Sequence, residues 1–102
     1  MGAGDPWKGP LYFAGMEIDW EPRAEEVFGR LLLQLDRRDR GDHETRAREA
    51  AEMHARTHGV RRVGQEAAVI GFVKAGGTMM KSQVTNALRR VGLDPRQYEE
   101  FF

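Results

Sequence analysis

"VGQEAAVIGFVKA", residues 63–75, decides how this chain folds. Its side chains are apolar almost all round, with no broad charged stripe to face water, so a helix here is the most buried element of the protein. "AGGT", at 75–78, ends it. The rest of the chain has to supply the surfaces that bury this segment.

The flanks read as helices with one apolar face each. Upstream, a helix from Asp42 to His58 carries Ala47, Ala50, Ala51, His54, Ala55 and His58 on a stripe of mostly small side chains, which lets a neighbouring helix approach closely. Asp42 can accept from free backbone N–H groups at its start, and Gly59 supplies the left-handed residue that stops it. Arg48, Glu49, Glu52 and Arg56 form its solvated face. Before it, Trp20, Ala24, Val27, Phe28, Leu31 and Leu35 recur at three-and-four spacing, predicting a helix from Trp20 to Leu35 with Asp19 as cap and Pro22 in the first turn. The alternating charges of "DRRDRGD", 36–42, read as a solvated connection.

Downstream, Thr78 can cap a fourth helix whose Met80, Val84, Ala87, Leu88 and Val91 share a face, closed by Gly92 and Leu93. "DPRQYEEFF", 94–102, has an Asp cap, Pro at the first helical position and Gln97 near a capping-box position, so it reads as a short helix. No strand alternation and no repeat is present. The expected fold is all-α: a small bundle of four to five short helices with an irregular N-terminal arm at 1–18. A helical domain spans 19–75, and a two-helix extension at 76–102 packs on it.

Composition narrows function. At 102 residues the chain is one domain, and a 40% hydrophobic, 31% charged make-up fits a small folded helical protein better than a disordered one. Sixteen basic residues balance sixteen acidic ones, so no global field draws it to nucleic acid or anionic membrane. With no cysteine, disulfides, thiolate zinc sites, thiol catalysis and thiolate-held iron–sulfur clusters are excluded. The apolar runs fall short of a membrane span, and "MGAGDPWKGP" lacks the basic start and apolar core of a secretory signal, so the expected location is the cytoplasm.

His54 and His58, four apart, are the only metal-ligand candidates, but a zinc site needs further ligands and His43 lies a helix-length away. The alternative is a last-turn histidine beside the negative end of the helix dipole. Glu25, Glu26, Glu49 and Glu52 lack the Glu-x-x-His pairing of a di-iron bundle, and no catalytic constellation is present. "KSQVTNALRRVGL", 81–93, has the look of a recognition helix, with Lys81, Arg89 and Arg90 as its nucleic-acid contacts. Acidic residues interleave the other arginines and cancel most of that field. Trp7, Tyr12 and Phe13 on the arm, and Tyr98, Phe101 and Phe102 at the C-terminus, are large groups that either pack on the body or dock on a partner.

"WEPRAEEVFGRL" followed by "RAREAAEMHARTHGVRRVGQEAAV" resembles the small C-terminal helical domain of the light-independent protochlorophyllide reductase B subunit and related stand-alone proteins. Trp20, Pro22, Ala24, Glu25, Glu52, Ala55, Arg56, Gly59, Val63 and Glu66 are the matching positions, within roughly 18–75. The chain departs from the family pattern where "PFFVR" is absent around 31–38 and where Gly64 replaces a threonine. The resemblance implies a non-enzymatic accessory subunit of a larger redox, nitrogenase-like or tetrapyrrole- and photosynthesis-related complex. No cofactor is expected on the chain itself, and tetrapyrrole contact is implied by the resemblance alone. The competing expectations are a small helix-turn-helix-like DNA-binding regulator and a small pigment or metal carrier.

Overall fold

The computed structural model describes residues 18–102, so Trp7, Tyr12 and Phe13 lie outside the described residues. In chain order these residues form β1 (Asp19–Trp20), α1 (Pro22–Leu32), α2 (Arg37–Thr57), β2 (Arg62–Val63), α3 (Gln65–Gly76), α4 (Lys81–Arg90) and a C-terminal 3₁₀ segment (Pro95–Phe101). The architecture is a small all-α bundle. No helix among the described residues is long and apolar enough to cross a membrane.

The apolar segment that opens the argument is the centre of the fold. Ala67, Ala68, Val69, Ile70, Gly71, Phe72 and Val73 are all buried, and α3 packs chiefly against α2 and α1. The small stripe of α2 makes this close approach physical, with Ala47, Ala51 and Ala55 fully buried. A Cβ placed on Gly71 would sit 2.5 Å from the Ala47 carbonyl oxygen and 2.6 Å from both the backbone nitrogen and the Cβ of Ala51. Here α3 touches the backbone of α2 directly. From the other side α1 contributes Ala24, Phe28, Leu31 and Leu32, and α4 contributes Val84, Ala87 and Leu88.

The C-terminal ends of α2 and α4 fall at the glycines the sequence marks. After α2, Gly59 N–H donates to the Arg56 carbonyl and Val60 N–H to that of Ala55; after α4, Gly92 and Leu93 bond back to Arg89 and Leu88 in the same pattern. Both glycines have positive φ, 73° and 87°, so each closes its helix in the left-handed conformation that side chains resist.

α2 starts at Arg37, five residues earlier than the sequence reading, so most of the expected connection is helix. The physical reason lies in Arg40, which donates to the Leu32 and Leu35 carbonyls at 3.0 and 3.1 Å and satisfies the end of α1 from the first turn of α2. Further along the same helix, Asp42 pairs with Arg46 and Glu44 with Arg48 at four-residue spacing. α1 correspondingly stops at Leu32, although Leu35 stays buried in the turn beyond it.

Two further expectations are corrected. Asp19 and Trp20 are not the start of a helix but a two-residue strand, parallel to β2 with Asp19 opposite Arg62 and Trp20 opposite Val63. Glu21 N–H extends the pairing to the Val63 carbonyl at 2.9 Å. A strand of two residues is too short to leave a period-two pattern. Thr78 does not cap α4, which begins after Met80, because 77–80 form a turn in which Met80 N–H bonds back to the Gly76 carbonyl. The expected apolar face survives: Val84, Ala87 and Leu88 are buried, and Met80 and Val91 pack against them. The last segment is the expected short helix, in 3₁₀ form, with Asp94 accepting from the Arg96 backbone N–H at 3.0 Å.

Candidate functional site

Four places on the body gather polar or titratable chemistry. The most connected is built around Trp20, which β1 presents to α1 and α2. Its indole N–H donates to Glu52 at 2.9 Å, and its ring meets Phe28 edge-on at 4.9 Å. The guanidinium of Arg48 lies 4.6 Å from the centre of the Trp20 ring and 5.0 Å from that of Phe28. The same guanidinium grips Glu25 at both oxygens, at 2.8 and 3.2 Å, and reaches Glu44 at 3.1 Å. Its pKa is raised further, first through the hydrogen bonds to Glu25. Glu52 also pairs with Arg56 at 3.9 Å. Glu25 and Glu52 are therefore framework groups, while Glu26 and Glu49 are exposed.

The second place is a buried histidine that the sequence reading passed over. His43 is fully buried, with its ring edge-on to Phe72 at 4.8 Å and its Nε2 2.9 Å from the Phe72 carbonyl oxygen. Nε2 therefore carries the proton, and Nδ1 is left buried without a hydrogen-bond partner. Burial holds the His43 pKa below the ordinary imidazole range, Arg46 pushes the same way, and the Phe72 carbonyl and Asp39 oppose them. The signal was present in the sequence: His43 continues the Ala47–Ala51–Ala55 stripe by one turn at four-residue spacing.

The third place is the end of α2. His54 and His58 lie side by side, ring centres 4.1 Å apart and tilted by 31°. His58 Nδ1 is 2.9 Å from the His54 carbonyl oxygen. Burial holds the His54 pKa below its ordinary value, assisted by His58 and Lys74 and opposed by Glu66. The C-terminal aromatics gather beside this pair. Tyr98 is buried in the core, and burial raises its pKa. Phe101 is half-buried, edge-on to His54 at 6.0 Å with Lys74 Nζ 5.5 Å from its ring centre. Phe102 is half-buried too, with the ammonium of Lys81 5.8 Å from its ring centre. Lys81 thus faces the C-terminus, whereas Arg89 and Arg90 are exposed at the far end of α4.

The fourth is a shallow cleft of about 220 Å³ lined by Arg23, Val27, Arg30, Gln65, Val91 and Leu93, with Arg23 donating to Gln65 at 2.7 Å across it. It falls below the usual size of small-molecule pockets, about 300–1,000 Å³. No group of three or more His, Cys, Asp or Glu side chains among the described residues could hold a metal ion. The chain was also compared with protein-family models, curated proteins and solved structures, and none of the three comparisons gave a match.

Proposed function

We propose that this chain is a non-catalytic helical module that docks on a larger redox or pigment-related assembly and contributes a rigid surface to it. The observation that supports the reading is the interlock around Trp20. Trp20, Glu25, Glu52, Arg56 and Val63, five positions that carry the family resemblance, are tied together by strand pairing, the indole–carboxylate bond and Arg48. Trp20 and Glu52 meet across a separation of 32 positions.

Apolar side chains also stand out from the body where a partner can reach them. Met79, in the turn between α3 and α4, is 95% exposed, and Leu33, after α1, is 64% exposed. Deleting 94–102 is a poor test, because Tyr98 belongs to the core. Single substitutions at exposed positions are cleaner. Met79→Lys and Leu33→Lys are each expected to weaken recovery of the assembly from the native host while leaving helical circular dichroism unchanged. Undiminished recovery with both substitutions combined, and with 1–17 removed, overturns the docking reading.

A further inference from the structure

A buried titratable group stands at the joint between α3 and α4. The two ring nitrogens of His43, which is fully buried, are in opposite situations. Nε2 sits 2.9 Å from the Phe72 carbonyl oxygen, which only accepts, so this nitrogen holds the proton of the neutral ring. Nδ1 is buried with no hydrogen-bond partner among the described residues. A second proton there creates a buried charge whose N–H has no acceptor, a state that a protein interior disfavours strongly. The ring also faces the joint. A Cβ placed on Gly76 would lie 3.6 Å from His43 Cε1, the carbon between the two nitrogens, and 2.7 Å from Cγ2 of Val84 in α4. Gly76 is thus the spacer between the imidazole and α4. Gly77, which follows it, has a φ of 56°, so the joint turns on a residue without the usual steric limits. The helices around His43 are unequally fastened. α2 and α3 meet backbone to backbone at Gly71, whereas α4 is held through the buried Val84, Ala87 and Leu88 and through Lys81 beside the Phe102 ring.

We propose that His43 is an acid-operated latch: a second proton on its ring opens the α3–α4 joint and releases the start of α4, while α2 and α3 stay packed on each other. The charged groups acting on the ring are Arg46, which opposes protonation, and Asp39, which favours it, both on α2. α3 presents the Phe72 carbonyl and Gly76, and the joint and α4 present Met80 and Val84 around Gly76, none of them charged. Opening brings Nδ1 to water, where the ring returns to its reference pKa of 6.5, above that of the buried ring. The open form therefore gains as pH falls below 6.5, by at most about tenfold per pH unit, and levels off below the buried pKa. Met79, 95% exposed in this joint, moves with it, so the latch also governs part of the docking surface proposed above; the latch itself stands without that reading.

The test is hydrogen exchange, followed amide by amide on the full chain as pH is lowered from neutral, with the intrinsic rate at each pH divided out. Protection of the joint and of α4 is expected to fall severalfold, by up to about tenfold per pH unit, while the α2–α3 contact around Ala47, Ala51 and Gly71 keeps its protection. The chain has two further histidines, His54 and His58, so a variant assigns the effect. His43→Gln supplies a neutral side chain with an amide N–H for the Phe72 carbonyl, and the pH dependence is expected to vanish in it. Asp39→Asn removes the carboxylate that favours the charged ring and is expected to move the transition to lower pH. Protection that does not change with pH, that is lost evenly across α2, α3 and α4, or whose pH dependence survives in His43→Gln overturns the latch. If His43→Gln does not fold, an unmoved transition in Asp39→Asn overturns it instead.

Discussion

At Gly71 the two main helices leave no room for a methyl group. An alanine there gains up to about 1 kcal/mol in helix propensity, but its Cβ meets backbone of α2 that cannot yield without separating the helices. Gly71→Ala is expected to lower unfolding free energy by about 2 kcal/mol or more. Gly41, within α2, has nothing within 4 Å of such a Cβ, so Gly41→Ala is expected to raise it by about 0.5–1 kcal/mol. Urea midpoints of the two variants, moving in opposite directions, check both. His43 makes a prediction of the same scale in pH. Its folded pKa lies below the reference value of 6.5, so the unfolded chain takes up the proton first. The His43 contribution is complete above pH 6.5 and is lost as pH falls through the folded pKa. As pH falls from 6.5 through the folded pKa the unfolding free energy should fall by at most about 1.4 kcal/mol per pH unit on this account, a slope that His43→Leu reduces. An identical slope in both proteins would remove His43 as the cause.

Among the elements, the helices of the sequence reading are present, and their apolar faces are the buried ones: Phe28 and Leu31 in α1, the alanines in α2, nearly all of α3, and Val84 and Leu88 in α4. Periodicity reports burial well because each face extends over several turns. Boundaries were less legible, since they depend on groups that meet only after folding. Nothing in "DRRDRGD" says that Arg40 will satisfy carbonyls at Leu32 and Leu35, and that contact is what turns the segment into helix. Arg40→Ala is therefore expected to cost about 1–2 kcal/mol, more than an exposed arginine in mid-helix, read from the same urea transitions. Hydrogen exchange should localise the loss to the first turn of α2 and the last of α1. Protection unchanged there would show that the helix start does not depend on Arg40.

For the molecule as a whole, the parts of the site that were legible are those set by local spacing. The His54–His58 pair is one turn of a single helix, visible within five consecutive residues. The Trp20 framework was only half visible: the resemblance marks Trp20 and Glu52, but their bond spans 32 positions and is created by the parallel pairing of β1 with β2. The aromatic ends divide in the same way. Tyr98 goes to the core and Phe101 and Phe102 stay half-buried, a distinction that depends on how the last segment lies across α3 and α4. The docking reading is therefore tested on the intact molecule. The most direct measurement is gentle purification from the native host at endogenous level, followed by size analysis and identification of what accompanies the chain. The account predicts a stable, stoichiometric assembly that contains redox or pigment-enzyme subunits; a lone species near 11.6 kDa would contradict it.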